Sequence, residues 1–194
     1  MEIYLIRHGE TDWNLEGKLQ GQENIPLNKT GLKQSEACGE ALKAVPLQCV
    51  QTSPLSRARR TAEIIADQQE CPLIINPSLI ERDYGLLSGL TPEKRREFET
   101  LGIPDKMEPW NALASRALRT VEEIAGRYPK GSVAAVSHGA WINALLAVIS
   151  EHKIGTGRTR LKNACISLLC RKSEGWEIEF FNITAEEFAK KLSL

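Results

Sequence analysis

Apolar positions along the chain fall into short continuous runs separated by stretches with helical spacing, and this alternation recurs from one end to the other. Glu2-Ile3-Tyr4-Leu5-Ile6 is a β-prone run closed by Gly9, which predicts a buried strand delivering Arg7 and His8 to its carboxyl end. A polar loop follows to about Asn28. Thr30 is placed to cap a helix over roughly 31–44, where Leu32, Ala37, Ala41 and Leu42 fall near one face. Cys49-Val50-Gln51-Thr52 predicts a second strand. Ser53-Pro54 then reads as a cap with proline at the first helical position, opening a helix to about Asp67 that carries Arg57, Arg59 and Arg60 in its first turns.

Leu73-Ile74-Ile75 predicts a third strand, and Leu79 to Gly89 a loop with two late glycines. Thr91-Pro92 opens a charged helix to about Thr100. Beyond a break from Gly102 to Pro109, Leu113, Ala117, Leu118, Val121, Ile124 and Ala125 form a helical stripe ending near Tyr128-Pro129. Val133-Ala134-Ala135-Val136 repeats the opening motif: an apolar strand, then Ser137-His138-Gly139, then a helix through Ile149. Cys165 to Arg171 and Trp176 to Phe181 surround Ser173-Glu174-Gly175, which predicts a hairpin, and Thr184-x-x-Glu187 is a capping box for a last helix. The expected fold is an α/β three-layer sandwich with a mostly parallel central sheet, helices on both faces and an antiparallel edge.

Composition narrows the function classes. A chain of 194 residues suffices for a single domain over 1–194 with a real core. Lys plus Arg and Asp plus Glu are both 25, so no global field draws the protein to nucleic acid or an anionic membrane. The apolar runs are too short to span a bilayer and the N-terminus lacks the pattern of a leader, so a cytoplasmic protein is expected. The five cysteines, at 38, 49, 71, 165 and 170, form no C-x-x-C pair and do not cluster with the three histidines. Reduced thiols acting as small core residues are expected, with no metal site and no cofactor.

The chemistry-bearing signal is the repeated strand-histidine-glycine context of His8 and His138. In open α/β sheets ligands bind beyond the carboxyl ends of the strands, where both histidines are expected to land. The glycine after each, Gly9 and Gly139, allows a sharp turn and brings backbone amides toward a ligand. Arg7 and Arg57 add guanidinium groups suited to an oxyanion, Arg57 in the first turn of a helix whose positive end favours the same charge. His152, Lys94-Arg95-Arg96 and Gly155-Thr156-Gly157 read instead as surface, a solvated helix face and a flexible loop, the last lacking a P-loop lysine.

At the level of motifs, Leu5-Ile6-Arg7-His8-Gly9-Glu10-Thr11 resembles the signature of the histidine phosphatase superfamily, the phosphoglycerate mutase-like enzymes. Further matches follow in order. Trp13-Asn14 resembles the family's downstream asparagine and Gln20-Gly21 its loop over the phosphate. The run Ser53 to Glu63 resembles its arginine helix, with Arg57 in the phosphate-binding place. Leu79 to Gly85 resembles the segment holding its acid, putting that role on Glu81, and Val136-Ser137-His138-Gly139 resembles the second histidine motif. The matches span residues 3 to about 170.

The resemblance implies a metal-independent phosphatase in which neutral His8 attacks phosphorus and becomes a phosphohistidine. Arg7, Arg57 and His138 would neutralise the phosphoryl oxygens, with Asn14, Gln20, Gly21 and Gly139 completing the binding set. Glu81 would contact substrate, protonate the leaving alcohol and later take a proton from water. The family also holds mutases, longer chains with extra basic residues after the acid. The compact stretch from Leu86 to Trp110 points instead to the short phosphatases, acting on α-ribazole phosphate, phosphoserine or varied small phosphomonoesters. The alternatives are a phosphoglycerate mutase-type transferase and a phosphate-binding regulatory module without turnover. Pro109-Trp110-Asn111-Ala112 departs from the family's Gly-Glu-Ser, so a hydrogen-bonding group behind the site is expected to be missing. Pocket walls are expected from Leu15 to Pro26 and Leu86 to Trp110. The expected partner is a small phosphorylated metabolite, and an edge strand near Cys165 to Arg171 is available for pairing in a homodimer.

Overall fold

In the computed structural model, which describes residues 1–192, six strands form one sheet. They are β1 (Glu2–Arg7), β2 (Leu47–Thr52), β3 (Leu73–Ile75), β4 (Ser132–Ser137), β5 (Ile166–Lys172) and β6 (Gly175–Ile183), in the order β3-β2-β4-β1-β5-β6. The first four positions in that order are parallel, β5 pairs antiparallel with β1, and β6 pairs antiparallel with β5. Strand alternation divides the core. Ile3 and Leu5 of β1, with Val133 and Ala135 of β4, face α5 (Trp110–Arg127) and α6 (Gly139–Ile149). Tyr4, Ile6, Ala134 and Val136 face the other way, against α2 (Lys29–Leu42), α3 (Ser56–Gln69) and α7 (Ala185–Leu192). A strand buried on both faces needs apolar residues at every position, which is why these runs are continuous. The expected three-layer α/β architecture is the one observed.

Several local expectations are corrected. The loop after β1 contains a short helix, α1 (Asp12–Leu15), closed by a capping box between Thr11 and Asn14. Asn28, not Thr30, caps α2, its Oδ1 accepting from Gly31 N at 2.8 Å. α3 begins at Ser56, with Leu55 at its N-cap and no side-chain cap. The strand near 165–171 is not an edge: β5 lies between β1 and β6, because the hairpin pairs its first strand with β1 and leaves β6 outermost. The helix α4 (Pro92–Thr100) and the Thr184 to Glu187 capping box form as expected. All five cysteines are free thiols, with Cys38, Cys49 and Cys165 buried. Among the described residues no helix is long and apolar enough to cross a membrane.

One close approach positions the carboxyl end of β1. A Cβ on Gly9 would stand 2.4 Å from Gly31 O, and one on Gly31 only 2.1 Å from Glu10 O. The loop leaving His8 therefore lies directly on the first turn of α2, a contact that only two glycines permit. Gly9 N also donates to Thr61 Oγ1 at 3.1 Å, tying the same loop to α3.

Candidate active site

β1 and β4 are adjacent and in register, with Arg7 beside Ser137, so the residues that follow them emerge side by side at one sheet edge. His8 N donates to Ser137 O at 3.0 Å, and the His8 and His138 rings lie 5.2 Å apart. The two histidines are 2 % and 0 % exposed. They stand at the base of a cavity of about 640 Å³, which Arg7, His8, Arg57 and Glu81 help to line. His138 lies beneath that wall.

The protonation of His8 follows from its contacts. Its Nδ1 is 2.6 Å from Gly9 O, a carbonyl that only accepts, so Nδ1 carries the proton. Its Nε2 accepts from Arg57 Nε at 3.3 Å. Burial, followed by the charges of Arg57 and Arg7, holds the His8 imidazole well below its ordinary pKa, overriding the opposing Gly9 bond. Burial, Arg57, His8 and Arg7 do the same to His138. Both rings are neutral at physiological pH, and His8 keeps a lone pair on Nε2.

Arg57 is itself fully buried and spans the site. Besides His8 it donates from Nη1 to Glu23 O at 2.7 Å and from Nη2 to Gly21 O at 2.8 Å, so the loop carrying Gln20 and Gly21 is folded around one guanidinium. Gly21 has φ +50°, and a Cβ there would meet Ser88 Oγ at 2.8 Å. Burial, reinforced by Arg7 and opposed by Glu81, pushes the Arg57 pKa down to about 10, which still leaves it a cation at neutral pH. Arg7 donates from Nη1 to Leu161 O at 2.6 Å, while its Nε is out of solvent and has no protein partner. Gly139 lies against that Nε, where a Cβ would stand 3.6 Å away. Asn14 is held by its amide oxygen, which accepts from Thr11 N and from Asn163 Nδ2, each at 3.1 Å. Its amide NH2 is thereby left for the cavity.

Glu81 sits at the amino end of α6. Its Oε1 accepts from Arg82 N at 2.9 Å and Trp141 N at 3.0 Å, and its Oε2 from Ala140 N at 3.1 Å. Helix N-terminal amides suit a carboxylate in this place and fix its orientation. The chain leading to Glu81 is fastened from behind. Arg116 donates to Ser78 O at 2.9 Å and Ile80 O at 2.7 Å, and pairs with Glu108 through contacts of 2.9 to 3.2 Å. Trp141 Nε1 also donates to Ser78 O, at 2.9 Å, and Ser137 Oγ to Leu79 O at 2.7 Å. The hydrogen-bonding group expected to be missing near Pro109 is present one residue earlier, as Glu108.

The sheet edge thus brings His8, Arg7, Arg57, Glu81 and His138 together, with Asn14, Gln20, Gly21 and Gly139 around them. Sequence reasoning missed Ser53, whose Oγ is 2.7 Å from His138 Nε2, and the Arg116 and Glu108 pair. It also misassigned one wall. Of the segment 86–110 only Trp110 lines the cavity, and Arg82 and Tyr84 stand just before it. The chain leaves at Asp83 and returns at Glu108, the two ends joined by a Glu108 N to Asp83 O bond of 2.8 Å, so most of the excursion hangs outside. Another part of the wall comes from Thr156 to Asn163, including the loop read as merely flexible. Thr156 is fixed there by Trp110 Nε1, which donates to its Oγ1 at 3.1 Å. Among the described residues no group of three or more His, Cys, Asp or Glu side chains is arranged to hold a metal ion.

Comparison with known proteins identifies the family. The model of the histidine phosphatase superfamily (branch 1) matches residues 3–184. The chain is 40 % identical over 183 residues to a Bacillus subtilis protein described as an uncharacterized phosphatase, PhoE, covering 94 % of this chain and 95 % of that one. It is 35 % identical over 192 residues to the metal-independent phosphoserine phosphatase of Arabidopsis thaliana, covering 92 % of this chain and 79 % of the relative. Among solved structures, Bacillus stearothermophilus YhfR superposes with a TM-score of 0.84 at 26 % identity, over 92 % of this chain and 95 % of that one. The chain belongs to the histidine phosphatase superfamily, branch 1, and is an α/β enzyme of the histidine phosphatase type.

Proposed function

We propose that the enzyme is a cytoplasmic, metal-independent phosphatase that hydrolyses a small phosphomonoester through a phosphohistidine on His8, within a single domain. The observation that carries this reading is the state of His8: a buried neutral imidazole whose proton is held on Nδ1 by Gly9 O, and whose Nε2 lone pair faces the Arg57 guanidinium. A nucleophile needs that lone pair, and the two cations that add to burial in keeping the ring neutral, Arg57 and Arg7, are also suited to stabilise a bound phosphoryl anion.

The substrate phosphoryl group would sit among Arg7 Nε, Arg57, the Asn14 amide, the Gly139 N–H and His138, replacing solvent by fixed donors. His8 Nε2 attacks phosphorus in line. The new N–P bond forms as the ester P–O bond breaks, and the proposed acid Glu81 passes a proton to the departing alcohol oxygen. Of its two carboxylate oxygens, Oε2 accepts one backbone bond and Oε1 two, so Oε2 is the freer to carry that proton. A water then attacks the phosphohistidine, Glu81 takes its proton, the N–P bond breaks and phosphate leaves. The names of the Bacillus subtilis and Arabidopsis relatives support water as the acceptor. The test is a set of phosphorylated metabolites with free phosphate read in excess chelator. Phosphate release that is lost in His8→Ala supports the proposal. Isomerisation of a phosphorylated sugar acid with little free phosphate would make the enzyme a mutase, and strict dependence on an added metal would overturn the mechanism.

A further inference from the structure

Ser53 has no place in the steps above, yet it is fully buried against one of their residues. It follows β2 directly and continues that strand's pairing, its N donating to Val136 O at 3.1 Å. This bond brings the Ser53 side chain beside His138, with Oγ 2.7 Å from His138 Nε2. Two hydrogen-bond arrangements fit that distance, and the remaining contacts choose between them. Ser53 Oγ already accepts from Leu55 N at 3.3 Å, and among the described residues the imidazole is the acceptor in reach of its own proton. If Nε2 carried the proton, the serine hydroxyl would accept twice and its own proton would be left unpaired in a dry site, the costly outcome for a buried polar group.

We infer that Ser53 is a positioning residue that donates to His138 Nε2 and so fixes the His138 proton on Nδ1, making that nitrogen a neutral hydrogen-bond donor for the substrate phosphoryl group. His138 Nδ1 is out of solvent and has no partner in the protein. A lone pair there would repel a phosphoryl oxygen, whereas an N–H satisfies it and completes the ring of donors begun by Arg7 Nε and the Gly139 N–H. The tautomer is needed because burial, with the neighbouring cations, keeps the ring neutral, so only one of its nitrogens carries a proton. His8 reaches the same tautomer through the opposite kind of contact: Gly9 O accepts the Nδ1 proton and leaves Nε2 free for attack. The same Nδ1–H form thus serves one ring as nucleophile and the other as donor.

The role in turnover rests on the proposed phosphatase reading, but the tautomer does not. The experiment is nitrogen-15 NMR of the full-length protein labelled in histidine, with His138 assigned by comparison with His138→Gln. The expected wild-type spectrum has His138 protonated on Nδ1, with that resonance moving on addition of inorganic phosphate. In Ser53→Ala the two tautomers mix, kcat falls roughly 10- to 100-fold, and the dissociation constant for phosphate rises about tenfold. Ser53→Thr, which keeps the hydroxyl, restores the Nδ1–H signal. A wild-type spectrum with the proton on Nε2 overturns the inference, whatever the variants do. An unchanged tautomer and unchanged kcat in a folded Ser53→Ala would overturn it as well. If the wild-type protein shows Nδ1–H and phosphate-sensitive shifts but releases phosphate from no ester, the assignment of Ser53 stands and the phosphatase reading falls.

Discussion

Replacing Arg116 by alanine separates the scaffold of the site from its chemistry. The guanidinium holds the carbonyls of Ser78 and Ile80 and a bidentate contact with Glu108, and both side chains of the pair are 18 % exposed. Breaking a buried ion pair by removing one partner costs about 3–5 kcal/mol. Residual solvent access to Glu108 lowers that, so a loss of roughly 3 kcal/mol is expected, a fall in Tm of about 6–12 °C for a chain of this size. The larger consequence is for Glu81, one residue beyond Ile80. A shift of about 1 Å in a reacting group costs on the order of 100-fold in rate, so kcat should fall by that order while phosphate binding by His8 and the arginines changes little. Thermal unfolding followed by circular dichroism gives the first quantity, and single-turnover kinetics with an aryl phosphate the second. The double variant Arg116→Met with Glu108→Leu removes both charges and should recover much of the stability but not kcat, because Ile80 O, next to Glu81, loses its donor while Ser78 O keeps only Trp141 Nε1. Full kcat in a destabilised Arg116→Ala would refute the reasoning, since Glu81 would then be held without its backing.

Three further outcomes follow from the same contacts. His8 and His138 have folded-state pKa values far below the 6.5 of an unfolded histidine, so the unfolded chain takes up more protons as pH falls. Their contribution to stability is complete above pH 6.5 and is lost below it, at up to about 1.4 kcal/mol per pH unit for each ring. Urea midpoints between pH 7.5 and 5.5 should fall, and fall less steeply in His8→Gln with His138→Gln. Arg57→Lys keeps the charge but not the three-way contact to His8, Gly21 and Glu23, and kcat should drop about 100- to 1000-fold; a loss under tenfold would contradict the geometry. Gly31→Ala forces a Cβ to 2.1 Å from Glu10 O and should cost about 1–3 kcal/mol or more, whereas Gly126→Ala, with nothing within 4 Å, should be neutral or stabilise by up to about 1 kcal/mol. Denaturant titration compares the two.

The legible part of this protein was whatever depends on short-range pattern. β1 and β4 are buried on both faces, so their runs are continuous, and the histidine after each follows from where such strands end. Arg57 was legible from its place in the first turn of a helix. Glu81 was not legible from the residue alone, since its meaning comes from Ala140 and Trp141 amides 59 and 60 residues away, and only the family motif pointed to it. Ser53 was read as a helix cap because serine before proline commonly is one. The helix begins instead at Ser56, and Ser53 Oγ keeps a local bond from Leu55 N while also meeting His138 across the site. The Thr156 to Asn163 wall carries no periodicity and is fixed by single contacts such as Trp110 to Thr156, which a one-dimensional pattern does not encode.

The central claim is the covalent role of His8, and the most direct measurement is identification of the phosphorylated residue during turnover. Glu81→Gln, reacted with an aryl phosphate whose leaving group needs little protonation, should slow dephosphorylation more than phosphorylation and let the intermediate accumulate. Quenching in alkali, which preserves phosphohistidine, and mapping the label by mass spectrometry should find one phosphoryl group on the peptide containing His8, formed at a rate sufficient for turnover. A protein that turns over with no label on His8, or with the label on another residue, would contradict the account.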